Sequence, residues 1–363
     1  MTKLHELTKF GQAVWIDYIR RSFTRSGKLK DMVEKGVRGV TSNPTIFDKA
    51  IAGSEDYDKD IRRLAESGKS TTEIYESLVF EDICEAAEEL KSIYDKTQRD
   101  DGFVSLEVNP TLAHDTQGTI SEAKRLFADV NHPNIMIKIP ATPAGFPAIE
   151  EVIASGINVN VTLIFSLTQY EAAANAYISG LERRLALGQS INKIASVASF
   201  FISRVDTAVD AELQKVGSDD LMGKIAIDNA RLAHVRFCEI FSEERWRRLQ
   251  QAGAKVQRPL WASTGTKNPE YADTIYIDNL IGNNTVNTMP PPTLEAFMEH
   301  GNIAKTIDVD IEGAMLRMKE FAQLSINFDA ISEKLLYGGV TAFANSFKSL
   351  MNSINEKKTK LST

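Results

Sequence analysis

Three ionisable residues set the chemistry this chain can perform: Lys138 in the run IMIKI (135–139), Asp17 in AVWID (13–17) and Glu107 in FVSLEV (103–108). Each is a polar member of an otherwise apolar run. A lysine taken out of water has its pKa lowered, because burial disfavours the ammonium, and the neutral amine attacks carbonyl carbons. The reaction class is then a Schiff-base step on a ketone or aldehyde, with Asp17 and Glu107 supplying general acid and base. Asn43 in GVTSN (39–43), with Asn160 and Thr162 in NVNVTLI (158–164), adds amides and a hydroxyl that can hold a polyhydroxy substrate. Arg204, five residues after Ser199, offers a bidentate charge-assisted pair to phosphate, and Ser263 a hydroxyl or backbone donor.

These residues meet only if their runs are neighbouring strands. With IASVASF (194–200), RPLWAS (258–263) and TVNTM (285–289) the strand-like runs number eight, separated by amphipathic stretches such as 74–97, 121–130, 167–187 and 221–253. That alternation predicts an α/β fold, a single parallel (β/α)8 TIM barrel spanning 1–363. Residues 44–101 would be a helical insertion after the second strand, and 305–363 a C-terminal helical extension broken at Gly338 and Gly339, with NEKKTKLST frayed.

Alternate side chains of a barrel strand face the interior. With Ile135, Ile137 and Ile139 toward the helices, Met136 and Lys138 point inward; by the same parity so do Ala13, Trp15 and Asp17, Ser105 and Glu107, and Asn158, Asn160 and Thr162, leaving Val159, Val161 and Leu163 outward. The last inward residue falls near the C-terminal strand ends, where barrel enzymes place their sites. One strand-end lysine is ordinarily a snorkelling surface residue; a lysine, two carboxylates, two amides and a hydroxyl at one mouth are costly to bury for packing alone. Lys193, before the sixth strand, belongs to the opposite rim, and Lys305 lacks polar company.

The 363 residues are 43% hydrophobic and 25% charged, which excludes disordered, collagen-like and disulfide-scaffold chains. Lys and Arg number 42 against 49 Asp and Glu, a net charge of −7 that argues against nucleic-acid and anionic-membrane partners. Cys84 and Cys238 form no CxxC or Cys/His cluster and are expected to be two buried, reduced thiols, with no metal site. The start of the chain lacks an apolar core of signal-peptide length and nowhere do about 18 apolar residues run together, so a cytosolic protein is expected.

Over nearly its whole length the chain resembles the transaldolases. The matching segments are WID with Asp17, GVTSNPTIF with Asn43, SLEVNP with Glu107, IMIKIPAT with Lys138, INVNVTLIFS with Asn160 and Thr162, ASFFISRVD with Ser199, Phe201 and Arg204, and ASTGTKNP with Ser263 and Lys267. The resemblance implies transfer of a dihydroxyacetone unit from sedoheptulose 7-phosphate to glyceraldehyde 3-phosphate in the non-oxidative pentose phosphate pathway. It implies that Lys138 attacks the ketose carbonyl, that Glu107 and Thr162 position the water that shuttles protons, and that Asp17 takes the C4 hydroxyl proton. Asn43, Asn160 and Ser199 would hold the dihydroxyacetone hydroxyls. No metal or cofactor is needed, since the iminium is the electron sink, and the working form would be a monomer or homodimer.

The better known branch of the family carries an Arg shortly after the Ser, where this chain has ASTGTKN; Lys267 either replaces that Arg or is a solvated loop lysine. Phe at position 201 goes in the family with transfer, while related fructose 6-phosphate aldolases carry a Tyr there. A barrel that only binds sugar phosphates is the reading of a different class. The basic run RRSFTRSGKLK (20–30) either sits over the mouth or is a solvated helix-and-loop face, the second being the expectation, and FDAISEKLLYGGVTAFANSF (328–347) either packs on the barrel exterior or closes over the mouth.

Overall fold

The computed structural model describes residues 2–361. Its strands are β1 (Gln12–Ile16), β2 (Val37–Val40), β3 (Phe103–Glu107), β4 (Ile135–Pro140), β5 (Val159–Ile164), β6 (Ser196–Phe201), β7 (Gln257–Ala262) and β8 (Thr285–Met289). All neighbours pair in parallel and in chain order, and β8 returns to β1, so the sheet is a closed eight-stranded barrel. Before and between the first strands lie α1 (Lys3–Lys9), α2 (Arg21–Arg25) and α3 (Lys28–Lys35); α4 (Pro44–Ala52), α5 (Asp58–Glu66) and α6 (Thr71–Lys96) fill the interval between β2 and β3. Around the rest run α7 (Thr116–Val130), α8 (Gly145–Ala154), α9 (Leu167–Ala186), α10 (Ser203–Val216), α11 (Ile225–Ile240), α12 (Glu244–Gln251) and α13 (Ile275–Asp278). After β8 come α14 (Pro291–His300), α15 (Ile311–Gln323) and α16 (Phe328–Leu361).

Registry fixes the inward set. Glu107 pairs with Lys138, Lys138 with Asn160 and Pro140 with Thr162, and parallel partners share a face. The outward Ile135, Ile137 and Ile139 are fully covered by the helix layer, each stabilising by about 1.5–3 kcal/mol relative to exposure. The barrel floor is tight: a Cβ on inward Gly39 would stand 2.5 Å from the Trp15 ring. Local signals start the helices. Ser70 and Glu73 form a capping box for α6, and Asn43 caps α4 with Pro44 in its first turn.

Several expectations are corrected. β2 ends at Val40, so Asn43 is a helix cap and not a strand residue; the Asn-Pro pair starts α4. The amphipathic stretch 221–253 is two helices, α11 and α12. Leu163 does not follow strand parity: β5 is irregular between Val161 and Ile164, Leu163 has φ +60°, and its side chain abuts α16 at Gly339. Helix α16 runs unbroken through Gly338 and Gly339 and is helical to Leu361, where fraying was expected; Ser362 and Thr363 lie outside the described residues. Cys84 is half-buried and Cys238 exposed, because neither sits on the buried stripe of its helix. Lys305 is ion-paired with Asp308. The run 20–30 is not a plainly solvated face, since Arg21 is buried on Asp82 at 2.9 Å and on Asp60 at 2.5 Å. No helix of the described residues is long and apolar enough to cross a membrane.

Candidate active site

Lys138 and Glu107 sit side by side at the C-terminal ends of β4 and β3, with 3.1 Å between Nζ and Oε2 and only 5% of each side chain exposed. Lys138 Nζ also donates to the Ser42 carbonyl at 3.2 Å. The lysine is therefore ion-paired and hydrogen-bonded. Burial pushes the Glu107 carboxyl above its ordinary range, with Lys138 the main opposing influence.

Asp17 is the first residue past β1, its N–H donating to the Met289 carbonyl. Thr41 Oγ1 donates to Asp17 Oδ1 at 2.6 Å and lies 2.7 Å from Thr288 Oγ1. Thr41 has a single hydroxyl proton, so Thr288 must be the donor in the second bond. Burial raises the Asp17 carboxyl, while Lys138, the Thr41 bond and Arg204 pull it back.

A second chain of bonds crosses the floor: Ser199 Oγ donates to Asn160 Oδ1 at 2.7 Å and Asn160 Nδ2 donates to Ser105 Oγ at 3.0 Å. This fixes the Asn160 amide, since only its NH2 can serve Ser105 if its oxygen accepts from Ser199. Thr162 is fully buried and its Oγ1 has no partner. An orphan hydroxyl on the wall of a polar cavity is a place for a water or a substrate group.

Above these lies a cavity of about 1090 Å³, open toward α2, α3 and α4 on one side and the loops after β7 and β8 on the other. Asp17, Asn43, Lys138, Thr162, Ser199 and Phe201 line its inner part. Arg204, Ser263 and Lys267 line it too, so the loop lysine does reach this cavity. Glu107 and Asn160 are not on the wall; they lie beneath it, reached through Lys138 and Ser199. Arg20 and Lys28 of the basic run stand on the outer wall.

Arg204, in the first turn of α10, has no carboxylate within ion-pairing distance among the described residues. Its Cζ stands 5.1 Å from the Phe201 ring and 5.8 Å from the Phe343 ring. Burial lowers its pKa, and the charges of Asp17 and Glu107 act against that. Ser263 turns the chain after β7 with φ +55°, a conformation a non-glycine residue holds only when neighbours enforce it. Here its Oγ meets Ser203 Oγ at 2.8 Å and its carbonyl accepts from the Ser203 N–H at 3.0 Å.

The cavity wall also contains residues not anticipated from sequence. Thr288 has the inward parity of β8, and Thr41, one residue past β2, continues the inward parity of Gly39, a signal legible in GVTSN and TVNTM. Phe343, whose ring is 5.3 Å from Lys138 Nζ, carries no local signal, since only the path of α16 brings it there. Among the described residues no group of three or more His, Cys, Asp or Glu is placed to hold a metal ion.

A family profile described as Transaldolase/Fructose-6-phosphate aldolase matches residues 14–354. The chain is 47% identical to a protein named Transaldolase from Trichodesmium erythraeum (strain IMS101), covering 99% of this chain and 98% of that one. It is 47% identical to a protein of the same name from Parafrankia sp. (strain EAN1pec), over 98% of this chain and 97% of the relative. With the Transaldolase of Thermobifida fusca (strain YX) the identity is 45%, each chain covered to 98%.

Proposed function

The chain belongs to the transaldolase/fructose-6-phosphate aldolase family, and from that premise we propose that it is a transaldolase, moving a dihydroxyacetone unit from sedoheptulose 7-phosphate to glyceraldehyde 3-phosphate through a Schiff base on Lys138. The buried Lys138–Glu107 pair at 3.1 Å carries the reading. Passing the ammonium proton to Glu107, a carboxyl that burial already makes more basic, leaves a neutral amine. The amine adds to the ketose carbonyl, and the carbinolamine loses water as Glu107 returns the proton, with Thr162 Oγ1 holding the water in transit.

Cleavage of the C3–C4 bond needs a base for the C4 hydroxyl. Asp17 suits that step, since burial raises its basicity while Lys138 and Arg204 favour its ionised form. The C3–C4 electrons pass into the iminium and give an enamine; the first aldehyde leaves, the acceptor aldehyde enters, and Asp17 gives the proton back. Asn43, Ser199 and, through Ser199, Asn160 are assigned to the dihydroxyacetone hydroxyls. Arg204, Ser263 and Lys267 are assigned to the phosphate, the Arg having free donors in a fork that matches it.

Inward Phe201 has no hydroxyl to orient a water, which supports transfer over outright cleavage of fructose 6-phosphate. The same reading sets the reaction in the non-oxidative pentose phosphate pathway and the cytoplasm, performed by a monomer or homodimer.

Borohydride reduction in the presence of fructose 6-phosphate tests the assignment. Substrate mass is expected on Lys138 alone. Trapping on another lysine, or active protein with no trapping, would overturn it.

A further inference from the structure

A role for Phe343 rests on the reading of Arg204 as phosphate anchor, and that anchor has a physical problem to solve. Asp17 and Glu107 are close enough for their charges to act on the guanidinium, yet neither is paired with it. A buried guanidinium near two carboxylates tends to swing onto one of them. That would quench the donors a phosphate needs and neutralise a base the chemistry needs.

Two aromatic rings hold Arg204 instead. Phe201 is part of the barrel wall. Phe343 comes from α16, which packs on α4, α5, α6 and α10 and so crosses the C-terminal face of the barrel. Phe343 is 3% exposed and its ring serves two cations, Lys138 Nζ at 5.3 Å and Arg204 Cζ at 5.8 Å. One turn earlier, Gly339 lets the helix come close: a Cβ there would stand 2.9 Å from the Leu163 side chain and 3.6 Å from Arg204. Ser346 meets Thr45 at 2.8 Å and Lys357 meets Asp58 at 2.6 Å, which fixes the helix, and with it the ring, to α4 and α5.

We propose that Phe343 is a positioning residue for phosphate recognition: its ring holds the Arg204 guanidinium off Asp17 and Glu107 with its N–H groups free, so that the site favours phosphorylated over unphosphorylated sugars. A ring attracts a guanidinium without consuming its in-plane donors, which an ion pair would do. Phe343 thus keeps the anchor for the distal end of the substrate separate from the amine that receives its carbonyl.

The test compares wild type with Phe343→Leu, Phe343→Met and Phe343→Tyr. Inorganic phosphate is titrated calorimetrically, KM and kcat are measured for fructose 6-phosphate and for fructose, and dihydroxyacetone is trapped with borohydride. The aliphatic variants are expected to weaken phosphate binding and raise KM for fructose 6-phosphate roughly 3- to 30-fold, the range of a desolvated cation–π contact. Phe343→Tyr, which keeps the ring, is expected to stay near wild type; because the ring also faces Lys138 Nζ, dihydroxyacetone trapping is followed in every variant as the control for the amine, and phosphate affinity is expected to fall by more than trapping does. Unchanged phosphate affinity in a folded aliphatic variant would overturn the inference. So would an equal loss for fructose and fructose 6-phosphate, or a loss in Phe343→Tyr as large as in Phe343→Leu. If wild type fails to trap dihydroxyacetone on Lys138, the transaldolase reading falls, while the phosphate titrations still decide the role of Phe343.

Discussion

Lys138 and Glu107 are register partners on adjacent strands, and their charged groups meet at 3.1 Å inside the barrel mouth. A carboxylate in that place both stabilises the resting ammonium and is the nearest acceptor for its proton. Glu107→Gln keeps the shape and loses the proton capacity. Its kcat for transfer is expected to fall roughly 10²- to 10⁴-fold, the range for losing one acid–base group. Rapid-quench borohydride trapping should show slow formation of the adduct, still on Lys138; adduct formation at the wild-type rate would remove Glu107 from the dehydration step.

Asp17 acts later, on the carbon–carbon bond. Asp17→Ala is therefore expected to retain the Lys138 adduct with fructose 6-phosphate while transfer falls by a similar roughly 10²- to 10⁴-fold. An unchanged transfer rate would take Asp17 out of the mechanism.

Asn43 has two roles that substitutions separate. Its Oδ1 accepts from the Ile46 N–H at 3.0 Å, capping α4. Asn43→Ala should lower the unfolding free energy by about 1 kcal/mol and also raise KM, whereas Asn43→Asp keeps the cap and loses the amide donor. Denaturant melts beside Michaelis kinetics read the two effects. A KM unchanged in both variants would leave Asn43 as a cap alone.

Lys267 is exposed, lines the cavity and follows the strained Ser263 turn. Lys267→Ala is expected to raise KM for phosphorylated substrates a few-fold, roughly the worth of one exposed charge contact, with kcat unchanged. Equal kinetics on both sides of the substitution would make it a solvated loop lysine.

Asp206 lies outside the chemistry, on α10 two residues past Arg204. Buried, it accepts from Tyr276 Oη at 2.5 Å, and burial pushes its carboxyl up to about 7. In the unfolded chain it ionises near pH ~4, so between about 4 and 7 the folded state holds a proton that the unfolded state has lost. Folded-state stability contributed here falls as pH rises through that window, by at most about 1.4 kcal/mol per pH unit. Asp206→Asn, neutral throughout, should flatten the dependence of Tm on pH over this range. A slope identical to wild type would contradict the assignment.

Much of this was legible in the sequence, and the failures have physical causes. Period-two alternation in IMIKI and AVWID was enough to aim Lys138 and Asp17 inward, because a strand's pleat leaves no third choice. Asn43 is misplaced in a strand because GVTSN extends the β-branched run that Val37 and Val40 begin, although Asn-Pro is also a helix start. Gly338 and Gly339 read as a break, each costing about 1 kcal/mol in a helix, yet the helix continues, fixed by its packing on α4 and α5, and Gly339 is where a side chain would strike Leu163. Leu163 escapes parity through an irregularity in β5 that no pattern of residue types announces. Phe343 belongs to the mouth only through the course of α16 over the barrel, which depends on the whole tertiary structure.

Helix α16 follows all eight strands in chain order. During vectorial synthesis the barrel's last strand emerges before the helix that roofs it, so all eight strands are present before Phe343 can reach Lys138 and Arg204. A polypeptide released early, short of Phe343, would retain the amine and both carboxylates without the aromatic contact that α16 gives Arg204, and so would lose selectivity for the phosphate before it lost the chemistry.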